Sequence, residues 1–385
     1  MLSRAAAQSL SRRDFVVAGG ALALAGCVRS TALAPIVPVA RPKIAPILAD
    51  REHLMKVTVC LRPFRAAGPR LEVERFGAKT VVHNYGHGGS GWSLSWGCAE
   101  EASALARSGG GDEFAVIGAG VIGLTTALRL VESGTRVTIY ANDFPAETRS
   151  ARATGVWSPS SRVALADNTD AAFVERWKGW AERSYARHQQ MVGLADDPVE
   201  YVTQYNLPGG SNPRTRPSRS YLALDRQLDV IGPRWTTLDG TNNPFGDEDV
   251  RSGPVMTFNV ARYTDRLARQ FLLRGGRMVR REFADRAEVL ALPEAVIVNC
   301  MGYGARAMWG DDSLVPVRGQ INWLLPQPEA HYALYYDAMS VISRPDGVIV
   351  QYLGPNDDWG HGIDNESVDW DETNLALSSL RRLFA

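Results

Sequence analysis

The residues whose chemistry is plainest are three glycines, Gly118, Gly120 and Gly123, in the stretch DEFAVIGAGVIGLTTALRL. An apolar strand (Phe114 to Ile117) runs into them and an apolar helix runs out. In that context Gly118 permits a tight turn and Gly120 lets the backbone approach a pyrophosphate. Gly123 lets the helix pack closely on the strand. The helix start, carrying Val121 and Ile122, offers free N–H groups and a positive dipole end to phosphate. A second apolar strand, Arg136 to Tyr140, follows at the usual interval. Asn142 and Asp143 stand just beyond it, where dinucleotide folds place an acid for the ribose hydroxyls, and either could hold the ribose.

A second glycine-rich turn lies upstream, in VVHNYGHGGSGWSLSWG from Val81. It reads as a strand, a loop and a helix over about Ser93 to Arg107, with Gly88, Gly89, Ser90, Gly91, Trp92 and Ser93 forming another cradle of backbone N–H groups at a helix start. His83 and His87 in this run read as loop-packing histidines with satisfied hydrogen bonds rather than as bases.

These turns sit in a chain of 385 residues, 45% hydrophobic and 22% charged, long enough for two interleaved domains. Lys plus Arg and Asp plus Glu are 42 each, so no basic excess argues for nucleic acid. The four cysteines, Cys27, Cys60, Cys98 and Cys300, have neither metal-ligand spacing nor the pattern of a disulfide framework.

Residues 1–27 read as a twin-arginine export signal. Arg12 and Arg13 precede an apolar run, Val16 to Ala25, too short to span a bilayer permanently. The run ends in Leu24-Ala25-Gly26-Cys27, similar to a lipobox, so a lipid anchor at Cys27 on the periplasmic side of a bacterial envelope is expected. Cleavage within residues 32–40 is the alternative. Residues 28–52, with Pro35, Pro38, Pro42 and Pro46, read as an extended tether.

The HNYGHGGSGWSLSWG run closely resembles the carboxy-terminal motif of the D-amino-acid oxidase family, and LRPFR…GPRLE (Leu61 to Glu72) resembles the strand before it. TRSARATGVW (Thr148 to Trp157), VIVNCMGYGA (Val296 to Ala305) and VRGQI (Val317 to Ile321) resemble further elements of that family. The family begins with the glycine fingerprint and ends with the segments that come first here, so the resemblance implies a circular permutation. It also implies an α/β (α+β overall) fold, in which a Rossmann-type FAD-binding domain interleaves with a mixed-sheet substrate domain.

The expected division is a permuted segment at 53–110, the FAD domain at 111–205 and 255–310, a loop-rich insertion at 206–254 and the substrate domain at 311–385. The cofactor implied is FAD. Thr148, Arg149 and Ser150 would lie near its phosphates, with helix capping as the alternative role for the hydroxyls. Thr154 and Gly155 would lie along the flavin ring, with Ser93 at its pyrimidine edge and Gly302 in the turn that closes from below.

The activity implied is oxidation of the α C–N bond of a D-amino acid or small amine by hydride transfer to flavin N5. Oxygen or a respiratory electron acceptor would take the electrons onward. Arg62 would clamp the substrate carboxylate in a bidentate fork, and the Gly89 carbonyl would take the amino group. Of the family's pair of tyrosines only Tyr336 is kept, Ser340 standing at the second position. Arg344, Gln351, Tyr352 or Trp92 would then reshape the pocket. A flavoprotein without catalysis is the rival from another functional class.

Overall fold

The computed structural model describes residues 42–385, apart from 229–230, 233 and 247–248. The export signal, Cys27 and residues 28–41 of the expected tether lie outside the described residues. Along the chain come β1 (Leu54–Arg65), β2 (Arg70–Phe76), β3 (Lys79–Tyr85), α1 (Gly91–Ser108), β4 (Glu113–Ile117), α2 (Val121–Glu132) and β5 (Arg136–Ala141). Then follow α3 (Ala171–Gln189), β6 (Val199–Asn206), β7 (Thr236–Thr237), β8 (Arg251–Phe258), α4 (Val260–Leu273), β9 (Arg277–Arg280), α5 (Arg286–Leu290) and β10 (Val296–Asn299). The chain continues through α6 (Ala305–Trp309), β11 (Leu314–Leu324), β12 (Ala333–Tyr336), β13 (Met339–Arg344), β14 (Gly347–Tyr352) and α7 (Trp370–Leu383).

Two mixed sheets result. The six-stranded sheet has the order β2-β3-β10-β4-β5-β9, parallel except for β2 at its edge. Its central strands read as unbroken apolar runs because helices and loops cover both faces: Phe114, Ala115, Val116 and Ile297 are fully buried. α1 lies between α2 and α3. Thr125 Oγ1 donates to the Ser95 carbonyl (3.2 Å), and Gly97 N–H donates to Ser184 Oγ (2.7 Å). The α1–α3 contact is so close that a Cβ on Gly97 would overlap the Trp180 backbone.

The eight-stranded sheet runs β1-β11-β14-β13-β12-β6-β8-β7, antiparallel throughout except where β12 meets β6. This corrects the expected division of the chain. β6, placed by sequence almost wholly in the FAD domain, and β8, divided between the loop-rich insertion and that domain, extend the substrate sheet instead, because Ala333 to Tyr335 pair with Gln204 to Asn206 and β6 pairs with β8. The tether is also shorter than expected. Ile47 and Ala49 are buried in the core beneath α7, and Tyr332 donates to the Ala45 carbonyl (2.6 Å).

Two buried histidines give the fold a pH dependence. Burial draws His87 and His188 down to about 3 from the ordinary 6.5, so both stay neutral in the fold. The unfolded chain therefore binds more protons below pH 6.5, and stability falls with pH from there towards about 3. The two contribute up to about 2.7 kcal/mol per pH unit at the steepest. Denaturant midpoints should drop steadily between pH 6 and 4.5, with proton uptake on unfolding. A flat profile over that range would contradict the burial of these rings.

Candidate functional site

β3, β10 and β4 are parallel neighbours in register, so Asn299 at the end of β10 lies between His83 and Ile117. The turns that follow the three strands, at Gly86–Gly91, Gly118–Gly120 and Met301–Gly304, therefore open on one edge of the sheet. A cavity of about 440 Å³ lies there, within the range of ordinary cofactor sites.

Most of the expected site residues line it: Arg62, Gly88, Gly89, Gly91 and Trp92 from one side, with Gly118, Gly120, Val121, Ile122 and Gly302 beneath. Asn142, Asp143, Thr148, Arg149, Ser150 and Thr154 complete that set. Gly118 adopts φ +105°, and a Cβ there would approach the Cys300 carbonyl. Gly123 stands behind the wall, where a Cβ would run into the Gly118 carbonyl oxygen, so its absence of side chain serves helix–strand packing as expected.

Other residues have structural rather than lining roles. Ser90 Oγ donates to the Ser161 carbonyl (3.0 Å), and Ser93 Oγ accepts from Ser158 N–H (2.8 Å), so neither lines the cavity. Gly155 likewise sits behind the wall, its carbonyl accepting from Phe258 N–H (2.7 Å). Ser150 lines the cavity but its hydroxyl accepts from Val121 N–H (3.0 Å), which is the capping role, and the Thr148 hydroxyl donates to the Pro145 carbonyl (2.8 Å).

Tyr336 is not brought to the wall. It closes the β12–β13 hairpin, whose turn residues Asp337 and Ala338 have positive φ, and it packs against the core under α7. Arg344 is also structural: its guanidinium holds Asp346 (2.8 Å) and donates to the Thr154 carbonyl (2.9 Å). Of the four residues expected to reshape the pocket, Trp92 alone lines it, its indole N–H donating to the Ser150 carbonyl (2.9 Å).

The histidines divide. His83 is satisfied by Glu74 (3.0 Å) and Asn299 (3.1 Å), as expected, whereas His87 lines the cavity with Nε2 lacking a partner among the described residues. Asn84, also on the wall, has an unpartnered buried Oδ1.

Arg62 is the distinctive group. It projects from β1 over Gly319 of β11, where any Cβ would overlap the guanidinium. No hydrogen bond or ion pair joins it to a described residue. Burial, reinforced by the like charge of Arg162, draws it down to about 10, so it is still cationic at neutral pH. The Gly89 carbonyl nearby in the wall accepts no hydrogen bond from a described residue. Cys60 and Arg152 also line the cavity. Cys60 was legible in the i, i+2 alternation with Arg62 on β1, and Arg152 in its place within the TRSARATGVW run.

The wall suits the cofactor that the resemblance implies. A dinucleotide needs backbone N–H groups at helix starts and close access to them, and α1 and α2 both begin on this cavity beside glycines. The unpartnered Asn84 and His87 atoms mark a wall incomplete without a polar occupant. Replacing Gly118 by valine would strain a left-handed backbone and press on Cys300. Retention of FAD should fall at least tenfold by equilibrium dialysis, with the secondary structure by circular dichroism preserved.

Residues 113–385 match the family of FAD dependent oxidoreductases known as DAO. A D-amino-acid oxidase of Dictyostelium discoideum is 28% identical over 211 residues, 54% of this chain and 55% of that protein. One of Streptomyces coelicolor is 29% identical over 227 residues, 55% of this chain and 62% of that protein. The match thus spans between half and two thirds of these relatives. Among solved structures, glycine oxidase from Geobacillus kaustophilus superposes with a TM-score of 0.48 at 14% identity, over 70% of this chain and 77% of that one. With more than half its length matched by the family, the chain belongs to the FAD dependent oxidoreductases of the DAO family and its cofactor is FAD.

Proposed function

We propose that the chain oxidises the α C–N bond of a D-amino acid or related small amine to an imine, with oxygen as electron acceptor and hydrogen peroxide as second product. The observation that carries this reading is Arg62, a cationic fork recessed in the cofactor cavity with no hydrogen-bond or ion-pair partner among the described residues. Such a group is costly to leave unpaired, and a substrate carboxylate pairs with it in two parallel hydrogen bonds.

FAD, once bound, supplies the acceptor for the hydride of the α-carbon. The rest is positioning. Arg62 fixes the carboxylate and so aims the α-carbon. The Gly89 carbonyl accepts from the amino group, which holds the nitrogen in the same frame. His87, kept neutral by burial, does not repel the cation of an incoming ammonium group. This sparse set is adequate because a neutral amine releases hydride without a side-chain base. The names of the two D-amino-acid oxidase relatives support the substrate class. The same reading takes the chain as a permuted member of its family, exported and held at the envelope through Cys27; Cys27→Ser should move it from the membrane to the soluble fraction.

Anaerobic mixing of the purified protein with D-amino acids, glycine and small secondary amines should bleach the flavin spectrum for one class, and admitted oxygen should restore it with peroxide. Arg62→Met should raise KM for carboxylate substrates roughly 10- to 100-fold, the worth of a charged hydrogen-bonded pair. Arg62→Lys should not restore it, lacking the planar fork. Tyr336→Phe should leave the kinetics unchanged. A flavin spectrum that nothing on the panel bleaches, or an Arg62→Met enzyme with unaltered KM, would overturn the proposal.

A further inference from the structure

Behind Trp92 the core holds a file of aromatic rings that neither cofactor binding nor substrate positioning requires. Trp92 stands 5.4 Å from Tyr263, centroid to centroid, and Tyr263 stands 5.7 Å from His188. His188 is 5.8 Å from Trp157, and Trp157 is 5.3 Å from Tyr185. The file ends at the surface, where the Tyr185 and Tyr201 hydroxyls are 2.7 Å apart and Tyr201 is 39% exposed.

The protons inside this file are determined. The Trp96 indole can only donate, and it donates to the Tyr263 oxygen (2.8 Å). The Trp92 carbonyl can only accept, so His188 Nε2, 3.1 Å away, carries the imidazole hydrogen. Burial keeps the ring neutral, leaving Nδ1 bare to accept the Tyr263 O–H (2.9 Å). A fully buried tyrosine therefore donates to a fully buried, neutral imidazole, one ring away from the cavity wall.

We propose that Trp92, Tyr263, Trp157, Tyr185 and Tyr201 form a relay that carries one-electron oxidising equivalents from the cofactor cavity to the surface, with His188 as the proton partner of Tyr263. It rests on the reading of the cavity as a flavin site that generates peroxide. The oxidant is a hydroxyl radical, formed beside Trp92 when a reduced transition-metal ion from solution gives one electron to product peroxide and splits its O–O bond into hydroxide and the radical. The radical takes one electron from the indole and leaves as hydroxide. Tyr263 returns an electron to Trp92 and passes its phenolic proton to His188 Nδ1. Trp157 then gives an electron to Tyr263, and the proton returns from His188. Tyr185 or Tyr201 supplies the electron to Trp157 and releases its proton to water. A thiol-class reductant in solution restores that tyrosine with one electron and one proton. The interior is thereby spared oxidation, and the damage is delivered where it can be repaired.

The test uses two oxidants. In the holoprotein, with flavin absorption verified, blue light excites the flavin as an oxidant, and the radicals are followed by transient absorption and electron paramagnetic resonance. In cofactor-free protein, azidyl radicals made by pulse radiolysis oxidise tryptophan directly. The expected result is a tryptophan radical that decays into a tyrosyl signal, narrowed when the protein carries ring-deuterated tyrosine. Tyr263→Phe should lower the tyrosyl yield at least tenfold with both oxidants. Should that variant not fold, the surface pair Tyr185→Phe/Tyr201→Phe should instead prolong the tryptophan radical at least tenfold. A tyrosyl yield and a tryptophan lifetime unaffected by these changes would overturn the relay. A protein without flavin would sink the proposed reaction, while the azidyl measurement would still decide the relay.

Discussion

The structure depends on a single constraint, the parallel adjacency of β3, β10 and β4. Parallel strands in register end on the same edge, and each of these three ends in a glycine-bearing turn. Two of the turns start long helices, so the free N–H groups of α1 and α2 open on one cavity. The glycines serve two purposes there. Some, such as Gly118, permit backbone conformations that bring amides to the cavity. Others, such as Gly97 and Gly123, allow backbones to pack where a Cβ would collide.

The second sheet contributes what the first lacks. A wall of backbone amides can hold a dinucleotide but offers a substrate carboxylate no fixed counter-charge. β1 supplies it by running antiparallel to β11, with Arg62 lying across Gly319. The guanidinium thus rests on peptide backbone rather than on a carboxylate of the protein. A nearby acid would neutralise it and remove its use. The charge that does act on it most, Arg162, is of like sign and belongs to a turn clamped on the Gly88–Ser90 loop through Ser161.

Several candidate site residues are bound by the protein itself, for one physical reason. Hydroxyls and arginines near a site have two ways to be satisfied, by ligand or by protein backbone. Ser93 and Ser150 took backbone N–H groups, and Arg344 took carbonyls and Asp346. Motif spacing is blind to that choice, because Ser158, Val121 and Thr154 lie tens to hundreds of residues from the side chains they bind. Tyr336 failed through register. Its hairpin turn directs it to the core beneath α7, where pairing with Met339 holds it.

The amino-acid sequence by itself determined the local units: the strand–turn–helix at Gly118, the second glycine cradle at Gly86–Gly91 with its helix, and the strand before it that carries Arg62. These follow from backbone sterics and side-chain periodicity over a few neighbours, which are legible without a fold. Tertiary structure alone decided that β6 and β8 join the substrate sheet, that Ile47 and Ala49 of the expected tether are buried, and that Arg62 has no hydrogen-bond or ion-pair partner among the described residues. It also decided which hydroxyls face the cavity, and it brought Trp92, Tyr263, His188 and Trp157 together in tilted and edge-to-face contacts. Each of those outcomes depends on contacts between segments far apart in the chain, and such contacts exist only once both sheets have closed around their cores.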